Sequence, residues 1–459
     1  MSDISNTFQN NIASKSYIRW IILVLISFTI AANYYVYDAF SSIKSIMQSE
    51  LGFSNSQYGL LMSFYSFPNT FLLMSIFGGI ILDKWGIRKT GILFVGLCVI
   101  GVFISAYGAS PYYNENNFDY QLLNSFLPDF SPKLKMLMLG RLLFGLGAET
   151  SIVVINKIIA KWFKGKELAL AFGVNIAIAR LGTAAALILS PVFSSSASNW
   201  YYAIWVAALL MLIGLITFII YVSYDAKYSP KSDASAKLAA DEEFHINDIF
   251  LLLKNKSFIY ICLLCVTFYS AVFPFQAYCP DLLHNKFGLD IQLSGTLSSL
   301  IIFGTIIFTP LFGSFVDRKG KRATLMIFGA CLLVVSHLIL SLTNLTPYIP
   351  MFTLGIAFSL VPAAMWPSVA LIVDEKRLGT AYGVMASIQN LGLWAFPILA
   401  GYILDKSNPN AVAESTSLDY TNTILMFAIL GIIGIIFAFL LKYFDSKKEG
   451  YGLELPSNF

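Results

Sequence analysis

The chain has 459 residues, of which 57% are hydrophobic, 15% aromatic and only 12% charged, with a formal net charge of +4. Soluble domains average about 45–50% apolar and about 25% charged residues, and a soluble chain of this length could not cover so much apolar surface, so the composition reads as an integral membrane protein. The small net charge gives no reason to expect a nucleic-acid partner. The five cysteines fall in apolar runs and the three histidines are scattered, which predicts neither a disulfide framework nor a metal centre. The C-x-x-C of Cys262 and Cys265 reads as helix packing, and His337 as a hydrogen-bonded interior residue.

Residues 1–16 form a polar tail. The apolar run from Tyr17 to about Phe40 is too long for the h-region of a cleavable signal and reads as a retained first span. At about 20 apolar residues per crossing, twelve spans are expected. Six lie at about 18–40, 57–82, 90–109, 134–160, 167–193 and 199–223. Six more lie at about 257–282, 291–316, 323–343, 348–373, 379–404 and 420–444. This predicts an all-α protein with a six-helix bundle over 17–223 and a second over 257–444. Between them runs a polar connection, 224–256, with a short surface helix, and a tail, 445–459, follows. An even number of spans puts both termini on one side. Most of the 30 Lys and Arg residues lie in the tails, the even-to-odd loops and the central connection. The odd-to-even loops hold only Lys44, Lys133, Lys135, Lys286 and Lys406. The excess of basic residues marks the cytoplasmic side, so both termini are expected there.

Asp38 ends the first span, about 30 Å from its inner end by helix rise, and is expected near the outer face as a gate or coupling residue. After span 2 comes "GGIILDKWGIRKT", with Gly79, Asp83, Lys84, Gly86 and Arg88. After span 8 comes "GSFVDRKGKRAT", with Gly313, Asp317, Arg318 and Gly320. Both read G-x-x-x-D-basic-x-G-x-basic and occupy the same loop of their half. The glycines are expected to let helices approach closely, and the Asp to pair with the neighbouring Arg and a helix N-terminus. "AFGVNIAIARLG" in span 5 likewise matches "AYGVMASIQNLG" in span 11. Such repeated halves are the mark of a parallel-repeat transporter.

Three residues bring charge deep into apolar segments: Arg141 and Glu149 in span 4 and Arg180 in span 5. Helix rise puts Glu149 about 18 Å and Arg180 about 20 Å from the cytoplasmic ends of their spans, at one depth near the midplane. A charge there costs about 2.5–3.5 kcal/mol on insertion scales, so each is expected to face a cavity or a partner. A zwitterion fits both: Arg180 offers a fork for a carboxylate and Glu149 an acceptor for an ammonium. The competing reading is a structural Glu149–Arg180 pair, and an empty carrier could hold the two together. Arg141, eight residues outward of Glu149, does not share its face well and has either a structural or a coupling role.

The motif repeated in both halves resembles that of the major facilitator superfamily over all twelve spans. Finer stretches, including "YDAFSSI", "YSFPNTFL", "GRLLFGLGAE", "WFKGKELALAFG", "AMWPSVALIV" and "LGTAYGVMASIQNLGL", resemble one branch, the lysosomal dipeptide uniporters. The resemblance implies alternating access, closure of the cytoplasmic side by the G-x-x-x-D elements, and use of Glu149 and Arg180 to hold substrate. Asn390, the repeat counterpart of Arg180, with Gln389, Tyr65, Tyr269, Phe273, Trp366 and Trp394, is expected to complete the cavity. "MSDISNTFQNNIASKSY" lacks the acidic dileucine of the animal members, so the plasma membrane is expected rather than the lysosome, without need of an accessory subunit. The expectation is a monomeric carrier without cofactor, moving small peptides by uniport. The alternative in the same fold is a proton-coupled or exchange carrier of small anions. A membrane sensor would not need two gating elements, and no nucleophile–base or phosphate-cradling pattern suggests an enzyme.

Overall fold

The computed structural model describes residues 16–163, 166–194, 199–228, 246–374, 377–409, 417–446 and 450–456. Most of the tail at 1–16 and most of the 224–256 connection lie outside the described residues. The described chain is helical throughout: α1 (Ser16–Asp38), a 3-10 turn (Ser41–Ile43), α2 (Lys44–Leu51), α3 (Asn55–Ser63), α4 (Phe67–Phe71), α5 (Met74–Ala109), α6 (Phe118–Asn124), α7 (Pro132–Phe163), α8 (Leu168–Ser194) and α9 (Tyr201–Tyr228) in the first half. The second half has α10 (Ile246–Leu252), α11 (Lys256–Phe287), α12 (Ile291–Lys319), α13 (Arg322–Leu342), α14 (Tyr348–Ile372), α15 (Leu378–Ser407) and α16 (Thr421–Phe444).

Among the described residues, eleven helices are long and apolar enough to cross a membrane. The twelfth crossing is the second, which the structure breaks into α3, α4 and the start of α5. Pro68 cannot donate to the helical ladder and opens the short α4, and Leu73 takes a left-handed conformation (φ 49°) before α5 begins. The G-x-x-x-D element is not an open loop. Helix α5 runs through it into the third crossing and departs from helical geometry at Gly86 alone (φ 77°, ψ 165°). Its repeat counterpart Gly320 also has positive φ (67°), ending α12. A residue with a Cβ would be strained at either position.

The apolar crossings bury one face and leave the other to lipid. On α9, Leu209, Ile213, Ile216 and Ile220 recur every three or four residues and are all exposed, whereas Ala203, Ala207, Met211 and Phe218 are buried. This spacing is that of one helix face, and here the exposed face is the greasy one, as a bilayer requires. The two halves meet along α3 and α4 against α15, and along α8 against α12. The short helix expected in the central connection is α10, whose Asp248 pairs with Arg377 at 2.9 Å. His337 is fully buried, as expected, with Nδ1 3.0 Å from the Leu333 carbonyl.

Candidate functional site: a cavity between the halves

Two close helix contacts set the site. A Cβ at Gly145 of α7 would lie 2.0 Å from the Tyr65 carbonyl oxygen, and one at Gly182 of α8 would lie 2.1 Å from that of Ala31. Glycine at 145 therefore lets the broken second crossing lie directly on α7, and the Tyr65 hydroxyl reaches one turn along it to donate to Glu149 at 2.9 Å. Glycine at 182 draws α8 onto α1 and sets Arg180 beside Tyr34, one turn from Ala31. The guanidinium carbon lies 5.6 Å from the Tyr34 ring centroid, 5.9 Å from that of Phe273 and 4.9 Å from that of Phe358, within the range of cation–π attraction.

Between the halves lies a cavity of about 660 Å³. The first half lines it with Asn33, Tyr34, Tyr37, Asp38, Tyr65 and Glu149, and the second with Phe273, Trp366, Tyr382, Gln389 and Asn390. Arg180 stands at its wall, behind the Tyr34 and Phe273 rings. A chain of rings links acid to base: Tyr65 on Glu149, Tyr37 against Tyr65 (4.6 Å between centroids), Phe273 against Tyr37 (6.4 Å), and Arg180 over Phe273. No ion pair joins Glu149 to Arg180, and neither pairs with any other described residue. The pairing expected of an empty carrier is not formed. The acid and the base stand apart, with the aromatic wall between them.

Other expected site residues fall as follows. Tyr269 does not line the cavity. It stacks on Phe273 (5.6 Å) and accepts from Trp366 Nε1 at 2.8 Å, holding both lining rings. Trp394 also lies off the wall: the lining face of α15 carries Ala386, Asn390 and Leu393, and the next residue turns about 100° away to pack edge-on against Phe71. Asp38 is not at the outer face. The first crossing continues through the 3-10 turn to Leu51, so Asp38 lies inside it, 3% exposed, lining the cavity and accepting from Gln276 at 3.4 Å. Arg141 is 1% exposed and off the cavity wall. Its Nη1 donates to the Tyr37 carbonyl at 3.3 Å and its guanidinium lies 4.9 Å from the Phe40 centroid.

Beyond Asp38 the halves are sealed, by residues that sequence reasoning did not single out as a gate. Lys44 Nζ donates to Asp281 (2.6 Å) and Asn55 (2.7 Å), with the Tyr420 hydroxyl at 3.3 Å, and Tyr420 also donates to Asp281. The Lys44 and Asp281 side chains are 0% and 2% exposed. Asp405 of α15 accepts from the backbone N–H groups of Asn55 and Ser56, at 2.9 and 2.8 Å, where the N-terminus of α3 favours an anion. Every one of these bonds crosses from one half to the other except Lys44–Asn55 and Tyr420–Asp281.

At the end carrying the basic loops, the ion pairs stay within one half. Arg88 (2.8 Å) and Lys161 (2.7 Å) share Asp225, and Lys157 pairs with Asp83. Asp83 thus takes its cation from α7, not from the neighbouring Arg88, which correspondingly finds its acid on α9. A Cβ at Gly79 or Gly313 would meet nothing within 4 Å, so neither glycine makes the expected close approach in this conformation. Lys84, Asp317 and Arg318 show no ion pair among the described residues. Gly320 lies against the C-terminal segment, with Lys321 and Arg322 donating to the carbonyls of Glu454 and Leu453. The cavity reaches Ser75, Asn156, Ile176 and Gly379, in the parts of their helices nearer this basic end.

Two six-helix halves about a central cavity, sealed at one end only, define a multi-pass membrane carrier of the alternating-access type. The sequence profile of the Major Facilitator Superfamily matches residues 23–393 and 277–455. Curated relatives include the lysosomal dipeptide transporter MFSD1 of Mus musculus, 32% identical over 403 residues covering 84% of this chain and 80% of that protein. The lysosomal dipeptide transporter MFSD1 of Danio rerio is 29% identical over 454 residues, covering 96% and 89%. The hexuronate transporter of Bacillus subtilis is 24% identical over 394 residues, covering 82% and 85%. Among solved structures, the nucleoside transporter NupG superposes with a TM-score of 0.68 at 16% identity, covering 94% of this chain and all of that one. The chain belongs to the major facilitator superfamily and is a secondary transporter.

Proposed function

We propose that the protein carries dipeptides, with Glu149 holding the ammonium end and Arg180 the carboxylate end. One observation supports this above others: an acid and a base, neither paired with the protein, flank a single cavity between the halves. A buried charge without a counter-ion is costly, and a zwitterion supplies both counter-ions at once. The Tyr34, Tyr37 and Tyr65 rings around Glu149 suit an ammonium, whose attraction to aromatic faces adds to the ion pair. The cavity of about 660 Å³ sits within the ~300–1,000 Å³ range of small-molecule sites. The relatives named lysosomal dipeptide transporters point the same way.

The reading takes the basic end as cytoplasmic, as the distribution of Lys and Arg suggests. The conformation is then inward-facing, and both termini are cytoplasmic. It also keeps the expectations of uniport, a monomeric carrier and residence in the plasma membrane. Reconstituted into liposomes preloaded with unlabelled dipeptide, the carrier is expected to accumulate labelled dipeptide by counterflow. Free amino acids and dicarboxylates should compete poorly, and an imposed proton gradient should leave the initial rate unchanged. Strong competition by dicarboxylates would instead favour an anion carrier.

A further inference from the structure

Glu149 and Arg180 recognise only the two ends of a zwitterion, and any ω-amino acid of suitable length would satisfy them. Selection of a peptide needs a third contact, to the peptide bond. The cavity offers it on α15, where Gly379, Tyr382, Gly383, Ala386, Gln389, Asn390 and Leu393 form one lining face at intervals of one, three or four residues. On this face the carboxamide of Gln389 has its Oε1 3.9 Å from the Cys265 thiol, and no described residue accepts from its Nε2. A thiol is a weak donor and serves to orient the amide with its nitrogen toward the cavity. Beside it, Asn390 is 3% exposed, donates its Nδ2 to the Ala386 carbonyl at 3.0 Å and has no partner for Oδ1. A buried acceptor left unmatched is costly unless something supplies the donor.

We propose that Gln389 reads the peptide bond of the cargo, donating from Nε2 to its carbonyl oxygen, with Asn390 Oδ1 taking the peptide N–H. This rests on the dipeptide reading of the same cavity and adds the feature that separates peptides from other zwitterions. A primary amide carries one donor side and one acceptor side, and two adjacent amides match the two poles of a peptide group. The charges of the first half then fix the ends of the cargo, and the neutral amides of the second half read its middle. The cargo thereby bridges both halves, which is what a substrate must do to favour their closure around it.

The test compares glycylglycine with 5-aminopentanoate, which has the same number of chain atoms between ammonium and carboxylate but no amide. Binding of each to purified full-length protein is measured by thermal shift and calorimetry, for the wild type and for Gln389→Leu. Wild type is expected to bind glycylglycine about 10- to 100-fold more tightly, the range a hydrogen bond to an otherwise unmatched buried group provides. Gln389→Leu should bring the ratio to within about 3-fold by weakening the dipeptide alone, and Gln389→Asn should restore part of it. Equal binding of the two compounds by wild type, or an unchanged ratio in Gln389→Leu, overturns the proposal. The wild-type comparison stands even if the variant fails to fold. If neither compound binds the wild type, the dipeptide reading itself falls, and this one with it.

Discussion

Glu149→Gln and Arg180→Ala are each expected to weaken dipeptide binding by roughly 30-fold to several-thousand-fold, the ~2–5 kcal/mol lost when one member of a buried, hydrogen-bonded charge pair is truncated. Folding should survive. Were the two residues a structural pair, removing either would strand a buried charge at a cost of about 3–5 kcal/mol. They are not paired here, so the loss in the empty carrier is confined to the Tyr65 hydrogen bond in one case and to cation–π contacts with Tyr34, Phe273 and Phe358 in the other. Each of these contributes about 2 kcal/mol or less. The measurement is thermal unfolding with and without dipeptide. The expected result is a near-wild-type melting temperature without ligand and no stabilisation on adding it. A collapse of the ligand-free melting temperature in both variants would return the two charges to a structural role.

The second large effect is expected at the seal. Lys44→Ala leaves the Asp281 carboxylate inside a closed interface with only Tyr420 and Asn285 as donors, a penalty of about 3–5 kcal/mol. That penalty falls on the sealed conformation alone, because opening this end exposes Asp281 to water. The equilibrium between sealed and open forms should therefore shift by about two orders of magnitude or more toward the open form. A cysteine at Ser42, buried behind the seal, reports it: an impermeant maleimide applied from that side should label Ser42→Cys slowly, and Ser42→Cys with Lys44→Ala at least tenfold faster. Replacing both charges, as in Lys44→Met with Asp281→Leu, should restore slow labelling, since apolar residues of similar size can stand in for a buried pair. Unchanged labelling in Lys44→Ala would remove Lys44 from the seal.

What the sequence makes legible follows from which forces are local. Span number and the order of the two halves come from runs of apolar residues, and the repeat comes from matching motifs, so all twelve crossings can be read in advance. The depth of Glu149 and Arg180 follows from helix rise, which holds because α7 and α8 are continuous helices. The same arithmetic misplaces Asp38, since it assumes that the first crossing ends there, whereas a 3-10 turn carries it on to Leu51. Pro68 announces a break in the second crossing. The fit of that break against Gly145, which delivers Tyr65 to Glu149, depends on a contact between two helices and leaves no periodic trace. The seal is the least legible part. Lys44, Asn55, Asp281, Asp405 and Tyr420 come from five separated segments, and a single Lys at the end of a span reads as one more interfacial cation until the two halves are set together. The partners of Asp83 and Arg88 are hidden for the same reason: the signature fixes the residues, and the helices packed against it choose Lys157 and Asp225 as their counter-ions.

The most direct test of whether the acid and the base grip opposite ends of one molecule pairs changes in the protein with changes in the cargo. Binding is measured for a dipeptide, its N-acetyl form and its C-terminal amide, in wild type, Glu149→Gln and Arg180→Ala. The account predicts that wild type rejects both modified peptides, that Glu149→Gln loses discrimination against the acetylated one only, and that Arg180→Ala loses discrimination against the amide only. Discrimination that persists unchanged in both variants, or is lost against both peptides in each, would contradict it.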